Sequence, residues 1–155
     1  MTPLFKKLNF KDHQALVVIH APASFGVELE AMAAFTTVKQ SLDEAGDITF
    51  AIGFVTTQVQ IDTLMQELDP KLKGDATLWL CYPKGSSKKY KCDFNRDTGW
   101  DTLGQHGFEP VRQVAIDEDW SALRFRKVAY IKQITRRESM ALTADAKQRT
   151  SQKGK

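Results

Sequence analysis

TLWLCYPKGSSKKYKCDFNRDTGW, residues 77–100, is the stretch that decides the fold. Its first seven residues form an apolar run that ends at Pro83, which is typical of a buried strand. A loop rich in Lys, Gly and Ser follows over residues 84–91. Asn95 and Asp97 are good helix caps, and we predict that the helix behind them begins near Trp100. Strand, loop and helix in this order predict an α/β fold, in which ligands bind at the carboxyl ends of the strands.

Length and charge divide the chain into two parts. Its 155 residues suit one domain, and 42% hydrophobic and 26% charged residues are typical of a globular protein. Residues 131–155 contain seven Lys or Arg and two Asp or Glu, a net charge of +5, whereas residues 1–130 carry −2. We therefore predict a single α/β domain over residues 1–130 and a basic, disordered tail over residues 131–155.

The sequence also predicts a cytoplasmic location and no membrane association. No signal-peptide pattern opens the chain, and no apolar run approaches the roughly 18–20 residues that span a bilayer. Cys81 lies in the apolar run and Cys92 in the loop, and nothing in the pattern requires a disulfide. Both thiols are therefore expected to be free.

The N-terminal half predicts three further strands. Ala15–Ile19 and residues 48–55 are apolar and β-branched, as central parallel strands are. Residues 36–42 are more polar and suit an edge strand. We expect a helix over residues 24–35, capped by Ser24. Its predicted core-facing stripe consists of Val27, Ala31, Met32 and Phe35.

A second helix has the clearest signals in the chain. Thr57 and Gln60 have the spacing of a capping box. Behind them an apolar stripe recurs with helical period, and Asp69-Pro70 ends it. The stripe consists of Ile61, Leu64, Met65 and Leu68.

The chain then predicts a hairpin. Gly107 is a helix stop, and residues 111–116 and 120–128 read as strands whose short turn makes them antiparallel. Arg124 and Arg126 share one face of the last strand. Two interpretations stay open: they pair with the acids of the turn at residues 117–119, or they bind a carboxylate or phosphate.

Several of these segments carry a resemblance to an uncharacterised bacterial family that is known only as a domain of unknown function. The likeness covers roughly residues 15 to 127. Its most specific part is WSALRFR at residues 120–126, and YPK at 82–84, NRD at 95–97 and VAID at 114–117 accompany it. The family implies no activity and no catalytic residue.

The chain also resembles, more loosely, the second half of class I methyltransferases. The residues that carry this likeness are Gly74-Asp75 before Trp79, Gly107-Phe108 and the final hairpin. It implies a three-layer Rossmann-like fold with a mostly parallel six-stranded sheet, order 2-1-3-4-6-5, whose last strand alone is antiparallel. The departure is the turn after the first strand, His20-Ala21-Pro22, where those enzymes have a glycine-rich turn that admits their cofactor. We therefore predict no cofactor.

The candidate site is an anion site at the carboxyl edge of the sheet. Its positive charge comes from the loop, and its neighbours end the adjacent strands. A solvated basic loop is the competing interpretation. The residues predicted to converge are Lys84, Lys88, Arg96, His20, Thr57 and Trp100, the last as a partly exposed wall.

Other chemistries lack support in the sequence. The histidines have no metal-ligand spacing, and Asp93, Asn95 and Asp97 suit helix capping better than a calcium loop. Three functions remain, ranked in this order. The first is a non-catalytic binding module for a small anionic or phosphorylated ligand, the second a reduced methyltransferase-like enzyme, and the third a protein that binds nucleic acid weakly and non-specifically through its tail.

Overall fold

The computed structural model describes residues 1–95 and 98–131. The predicted tail, apart from Ile131, and the residues Arg96 and Asp97 lie outside this description. The helices are α1 (Pro3–Lys7), α2 (Gly26–Met32), α3 (Gln58–Leu68) and α4 (Asp101–Gln105). The strands are β1 (Ala15–Ile19), β2 (Thr37–Lys39), β3 (Ile48–Phe54), β4 (Leu72–Pro83), β5 (Phe108–Ala115) and β6 (Trp120–Lys127).

These strands form one sheet in the order β2-β1-β3-β4-β6-β5. β1, β2, β3 and β4 pair in parallel, whereas β6 is antiparallel to both of its neighbours, β4 and β5. The predicted order and the single antiparallel strand are confirmed. The connection through α2 runs from β1 to the edge strand β2, whereas the connection through α3 runs in the opposite direction, from β3 to β4. Right-handed crossovers therefore place α2 and α3 on opposite faces of the sheet.

Strand β4 alternates between two cores. Leu78 and Leu80 pack in the core beneath α3 and α4, whereas Trp79 and Cys81 pack in the core beneath α1 and α2. The Trp79 indole donates a hydrogen bond to the Leu8 carbonyl at 2.8 Å, which anchors the N-terminal helix on the sheet. Helices on both faces make the three layers that the sequence predicts.

The helix predicted over residues 24–35 is shorter than expected, and a different face of it packs on the sheet. A 3₁₀ turn at Ala23–Phe25 precedes α2, which buries Leu29 and Met32. Because that turn is tighter than an α-helical one, it changes the helical phase. Val27 and Phe35 are therefore 76% and 62% exposed, and the predicted stripe is wrong except at Met32. Ser24 lies inside the 3₁₀ turn and makes no cap.

Strand bounds also differ from the prediction. The edge strand β2 contains three residues rather than the seven of residues 36–42. β4 begins at Leu72, before the predicted start at Thr77, because pairing with β3 extends to Ile48↔Leu72 across an irregularity. Tertiary pairing sets both bounds, and local residue preference does not.

The second helix agrees with its prediction. All four stripe residues of α3 are buried, and Thr57 Oγ1 accepts a hydrogen bond from Gln60 N at 3.2 Å. The reciprocal bond of the capping box is shifted by one residue: Gln60 Oε1 accepts from Thr56 N at 2.6 Å. No helix in the described part of the chain is long and apolar enough to cross a membrane.

Candidate functional site

The loop after β4 is held to the hairpin at its first half. Lys84 N donates to the Asp119 carbonyl at 2.8 Å, and Ser87 Oγ donates to the Asp119 carboxylate at 2.8 Å. The same hydroxyl accepts from Tyr90 N at 3.1 Å, and the Tyr90 ring packs 4.8 Å from the Trp120 ring. This half of the loop therefore folds back over the first residue of β6.

The second half of the loop is held to α3. Asp93 N donates to the Thr56 carbonyl at 3.2 Å, and Asp93 Oδ1 accepts from Gln58 N at 3.0 Å. Gln58 is the first residue of α3, so Asp93 caps that helix from a distant part of the chain. Asn95 caps a local turn, since its Oδ1 accepts from Thr98 N at 3.1 Å.

Helix α4 consequently has no side-chain cap. It begins at Asp101, its N-cap is Trp100, and the Trp100 side chain makes no capping bond. The prediction that Asn95 caps this helix is wrong, and Asp97 lies outside the described residues. Asp93 thus stabilises α3, and Asn95 stabilises the loop.

Between these two anchors the loop encloses a pocket of about 740 Å³, called the loop pocket below. It opens at the carboxyl end of β4, the edge that the sequence predicts. The described residues that line it are Tyr82, Pro83, Lys84, Gly85, Ser87, Tyr90, Lys91, Cys92, Phe94, Asn95, Gln113 and Ser121.

The floor of the loop pocket is polar. Tyr82 on β4 lies opposite Ser121 on β6, and each is 4% exposed. From β5, Gln113 Nε2 donates to the Tyr82 hydroxyl at 3.1 Å and to Ser121 Oγ at 2.9 Å. Sequence reasoning missed Gln113 and Ser121, although strand alternation places Ser121 on the same face as Leu123.

The charge at the loop pocket is positive. Lys84 and Lys91 line it, and no Asp or Glu stands among its described lining residues. Burial raises the pKa of Cys92. A backbone hydrogen bond at Phe94 partly offsets this rise and the neighbouring Asp93 adds to it, so the Cys92 thiol stays protonated. The pocket therefore offers cations and hydrogen-bonding groups but no activated nucleophile among these residues.

The predicted site residues do not all meet at this pocket. Lys84 lines it, whereas Lys88 is exposed and Thr57 caps α3. Arg96 lies outside the described residues. The pocket thus contains one predicted cation, Lys84, and one that the prediction did not include, Lys91.

Trp100 lies beneath the pocket and not in its wall. It is 3% exposed, and its indole donates to the Asn95 carbonyl at 2.9 Å. Its ring contacts those of Phe94 and Tyr82, 4.9 and 5.5 Å between centroids. The expected partial exposure of Trp100 is wrong, because the aromatic cluster covers the ring, which supports the lining residues from below.

His20 lines a different pocket, of about 660 Å³, between the end of β1, the turn after β2 and helix α3. Its φ of 61° lies in the left-handed region, which a residue with a Cβ rarely adopts. β3 lies between β1 and β4, so His20 and Lys84 are separated by a strand. The described residues do not form the single cleft that the sequence predicts.

The two arginines of β6 also differ from each other. Arg126 forms a bidentate pair with Asp75, with Nε–Oδ1 2.9 Å and Nη2–Oδ2 2.5 Å. The predicted partners in the hairpin turn are wrong, since the carboxylate of Asp117 instead accepts from Asp119 N and Trp120 N. Arg124 makes no hydrogen bond or ion pair within residues 1–95 and 98–131.

No group of three or more His, Cys, Asp or Glu side chains in the described part of the chain is placed to hold a metal ion. His13 bonds Thr49 at 2.9 Å and His106 bonds Asp69 at 2.8 Å, both through Nδ1. These histidines hold local structure together.

Comparison with known proteins supports the fold. No family model matches the chain. No curated protein matches it either. Among solved structures, a SAM dependent methyltransferase from Aquifex aeolicus superposes with a TM-score of 0.57 at 13% identity, over 81% of this chain and 88% of that one. The tRNA methyltransferase TrmK of B. subtilis gives 0.51 at 10% identity, over 90% and 73%. At such identities the likeness shows a Rossmann-like fold alone.

Proposed function

We propose that this chain is a non-catalytic binding module that holds the anionic group of a small ligand in the loop pocket. The observation that carries the proposal is that two lysines, Lys84 and Lys91, line a pocket whose floor consists of hydrogen-bonding side chains. The pocket lies at the carboxyl end of a central strand, where open α/β sheets bind ligands. A phosphate or carboxylate there gains charge-assisted hydrogen bonds.

The aromatic lining of the pocket supports a ligand with an apolar part. Phe94 and Tyr90 line it beside the lysines, and Tyr82 forms part of its floor. Small-molecule sites combine such apolar walls with a few polar groups that fix orientation. A phosphorylated metabolite with a ring or short carbon skeleton meets both requirements.

The absence of catalysis is inferred from the chemistry of the lining side chains. Catalysis by a nucleophile needs a base within hydrogen-bond reach. No histidine and no carboxylate stands among the described lining residues, and burial raises the pKa of Cys92. Positioned cations without an acid–base pair favour binding over reaction.

A thermal-shift screen tests this proposal. Inorganic phosphate, pyrophosphate, adenosine monophosphate and sugar phosphates are the probes, because a ligand that binds only the native state raises its stability. We expect at least one probe to raise the Tm of the wild type. With that probe the double variant Lys84→Ala, Lys91→Ala should show a smaller rise than the wild type, and it should keep its Tm without ligand.

Lys88→Ala, Lys89→Ala is the matched control. It removes the same charge from the same loop, but neither residue lines the pocket; Lys89 lies over the Tyr90 ring at 5.7 Å. The control should respond to the probe as the wild type does. Equal stabilisation of all three proteins would place anion binding elsewhere and refute the proposal.

The second candidate is a reduced methyltransferase-like enzyme. Its support is the sheet order and the likeness to the methyltransferase from Aquifex aeolicus, both at the level of the fold. In that case the pocket beside His20 would take the cofactor. The turn His20-Ala21-Pro22 argues against close approach of a cofactor to the backbone, because Pro22 has no N–H to donate.

Location and family membership complete the proposal. We infer a cytoplasmic location, consistent with the free thiols of Cys81 and Cys92. WSALRFR at residues 120–126 supports membership in the uncharacterised bacterial family. Nucleic-acid binding through the basic residues of 131–155 is the third candidate, and a steep loss of affinity with salt would identify it.

A further inference from the structure

Three arginines share one face of the β5–β6 hairpin. Arg112 on β5 lies opposite Arg124 on β6, and Arg126 is two residues further along β6. Directly opposite residues and residues two apart in a strand project from the same face. This is the face of Trp79 and Ala122, which pack beneath α1 and α2.

Within the described residues, Arg126 is the one arginine of the three that forms an ion pair. Asp75 pairs with Arg126. Glu109 is fully buried and lies opposite Arg126 in the strand register, not opposite Arg124. Arg112 and Arg124 have no hydrogen bond or ion pair in residues 1–95 and 98–131. Two guanidinium groups are therefore adjacent without a carboxylate of their own.

Arg124 is also partly withdrawn from water. Its side chain is half-buried, and its Nε is a buried donor with no partner. Burial lowers the pKa of Arg124, and the positive charges of Arg126 and Arg112 lower it further, although Asp75 acts in the opposite direction. A buried donor on an unpaired charge is costly, and native proteins seldom keep one without a partner.

We propose that Arg112 and Arg124 form a phosphate-binding site on this face of the hairpin. Opposite residues of an antiparallel pair lie about 4.5–5.5 Å apart, so two planar guanidinium forks can grip one phosphate from two sides. The phosphate supplies acceptors to the two guanidinium groups and the negative charge that Arg112 and Arg124 lack.

This site is separate from the loop pocket. The floor of the loop pocket includes Gln113 and Ser121, which alternate with Arg112 and Ala122 along their strands and therefore face the other side of the sheet. The two proposals use different residues on opposite faces. Either can fail while the other holds.

Two sources present the same chemistry: free phosphate and the phosphodiester of a nucleic acid. The sequence continues from this hairpin into residues 131–155, which carry a net charge of +5. A chain with many cations favours a ligand with many phosphates, through release of counterions. The experiment distinguishes the two sources.

The test follows the arginine Nε–Hε signals in ¹H–¹⁵N NMR spectra of the full chain. Inorganic phosphate and a short single-stranded oligonucleotide are titrated separately into the wild type and into Lys84→Ala, Lys91→Ala. We expect the signals of Arg112 and Arg124, assigned with Arg112→Lys and Arg124→Lys, to shift saturably in both proteins. The shift in the double variant separates this site from the loop pocket.

Thermal stability provides a second measurement. In the Lys84→Ala, Lys91→Ala background, phosphate should raise the Tm, and adding Arg124→Gln should abolish that rise. Lys73→Gln is the matched control, since it also removes one cation but from an exposed side chain that pairs with Asp47 at 3.8 Å. The control should keep the full rise.

The outcomes are distinct. Saturation by inorganic phosphate assigns a free-phosphate site. A response to the oligonucleotide alone, weakened at least tenfold by Arg124→Gln, assigns a nucleic-acid backbone. If neither probe moves the Arg112 and Arg124 signals, or if Arg124→Gln and Lys73→Gln respond alike, the proposal is wrong.

Discussion

At the scale of single residues, backbone conformation matters as much as side-chain chemistry. Gly99 has φ +91°, and a Cβ added there would lie 2.4 Å from the Cβ of Phe94. Phe94 lines the loop pocket and packs on Trp100. This glycine therefore lets the chain pass close behind the pocket.

We predict that Gly99→Ala destabilises the fold by about 1–3 kcal/mol, the usual cost of a side chain in a left-handed conformation with a close contact. Urea unfolding measures it. Gly85→Ala is the control, because no atom lies within 4 Å of its added Cβ. Equal unfolding midpoints for the two variants would contradict the close approach at Gly99.

His13 adds a pH dependence. It packs on the rings of Phe10 and Phe50, and burial lowers its pKa, an effect that Asp12 partly offsets. The folded state therefore prefers the neutral ring. The stabilisation is present above the unfolded pKa of about 6.5 and is lost as pH falls through the lower folded value.

We expect the wild type to lose more stability than His13→Gln when the pH is lowered from 7.5 to 5. Chemical unfolding at a series of pH values provides the comparison, and His20→Gln, at an exposed position, is the control. Identical pH profiles for wild type and His13→Gln would exclude this histidine as the origin.

At the scale of elements, long-range caps hold the loop to its neighbours. Asp93 caps α3 from 35 residues away. The cap ties the loop pocket to the helix that covers the adjacent strand. Loop and helix therefore depend on each other for stability.

Asp93→Ala should lower the free energy of unfolding by about 1 kcal/mol, the typical value of an N-terminal cap. Asp93→Asn should retain most of it, because its side-chain oxygen still accepts from Gln58 N. Denaturant titration of the two variants decides the point. If both lose the same stability, the carboxylate acts through its charge and not as a cap.

The turn after β1 leads to a prediction about cofactor binding. The carbonyl of Pro22 accepts from Phe25 N at 2.9 Å, and Pro22 itself has no N–H. We expect isothermal titration calorimetry to detect no binding of S-adenosylmethionine with a Kd below about 1 mM. Micromolar affinity would favour the methyltransferase-like candidate over the binding module.

At the scale of the whole molecule, one sheet reaches from β2 to β5. The last described residue, Ile131, is 8% exposed and packs with Val128 against Val111. The described residues form two clusters of buried apolar side chains. The domain is therefore expected to be stable without residues 132–155.

Truncation after Ile131 should change the free energy of unfolding by less than about 1 kcal/mol, and Tm by a few degrees. Calorimetry of the full chain and the truncated chain measures this. A larger loss would mean that residues 132–155 contribute to the fold.

Much of this architecture is readable from the sequence, because it depends on local pattern. The apolar run of Ala15–Ile19 predicts a central strand. The capping box at Thr57 and the stripe behind it predict α3. The short turn before Trp120 requires an antiparallel pair. Each of these signals lies within a few residues and survives packing unchanged.

Other properties depended on the tertiary structure, because they arise from contacts between distant segments. A 3₁₀ turn rotated α2 and exposed Val27. Asp93 caps α3, and an aromatic cluster buries Trp100. Gln113 met Tyr82 through the pairing of β5 and β6, and that of β4 and β6. Residue types along the chain therefore determined the strands and the edge that carries the loop, and the resemblance to class I methyltransferases supplied the strand order. Only the packing of three layers decided which side chains face the pocket, since neighbours in space are not neighbours in sequence.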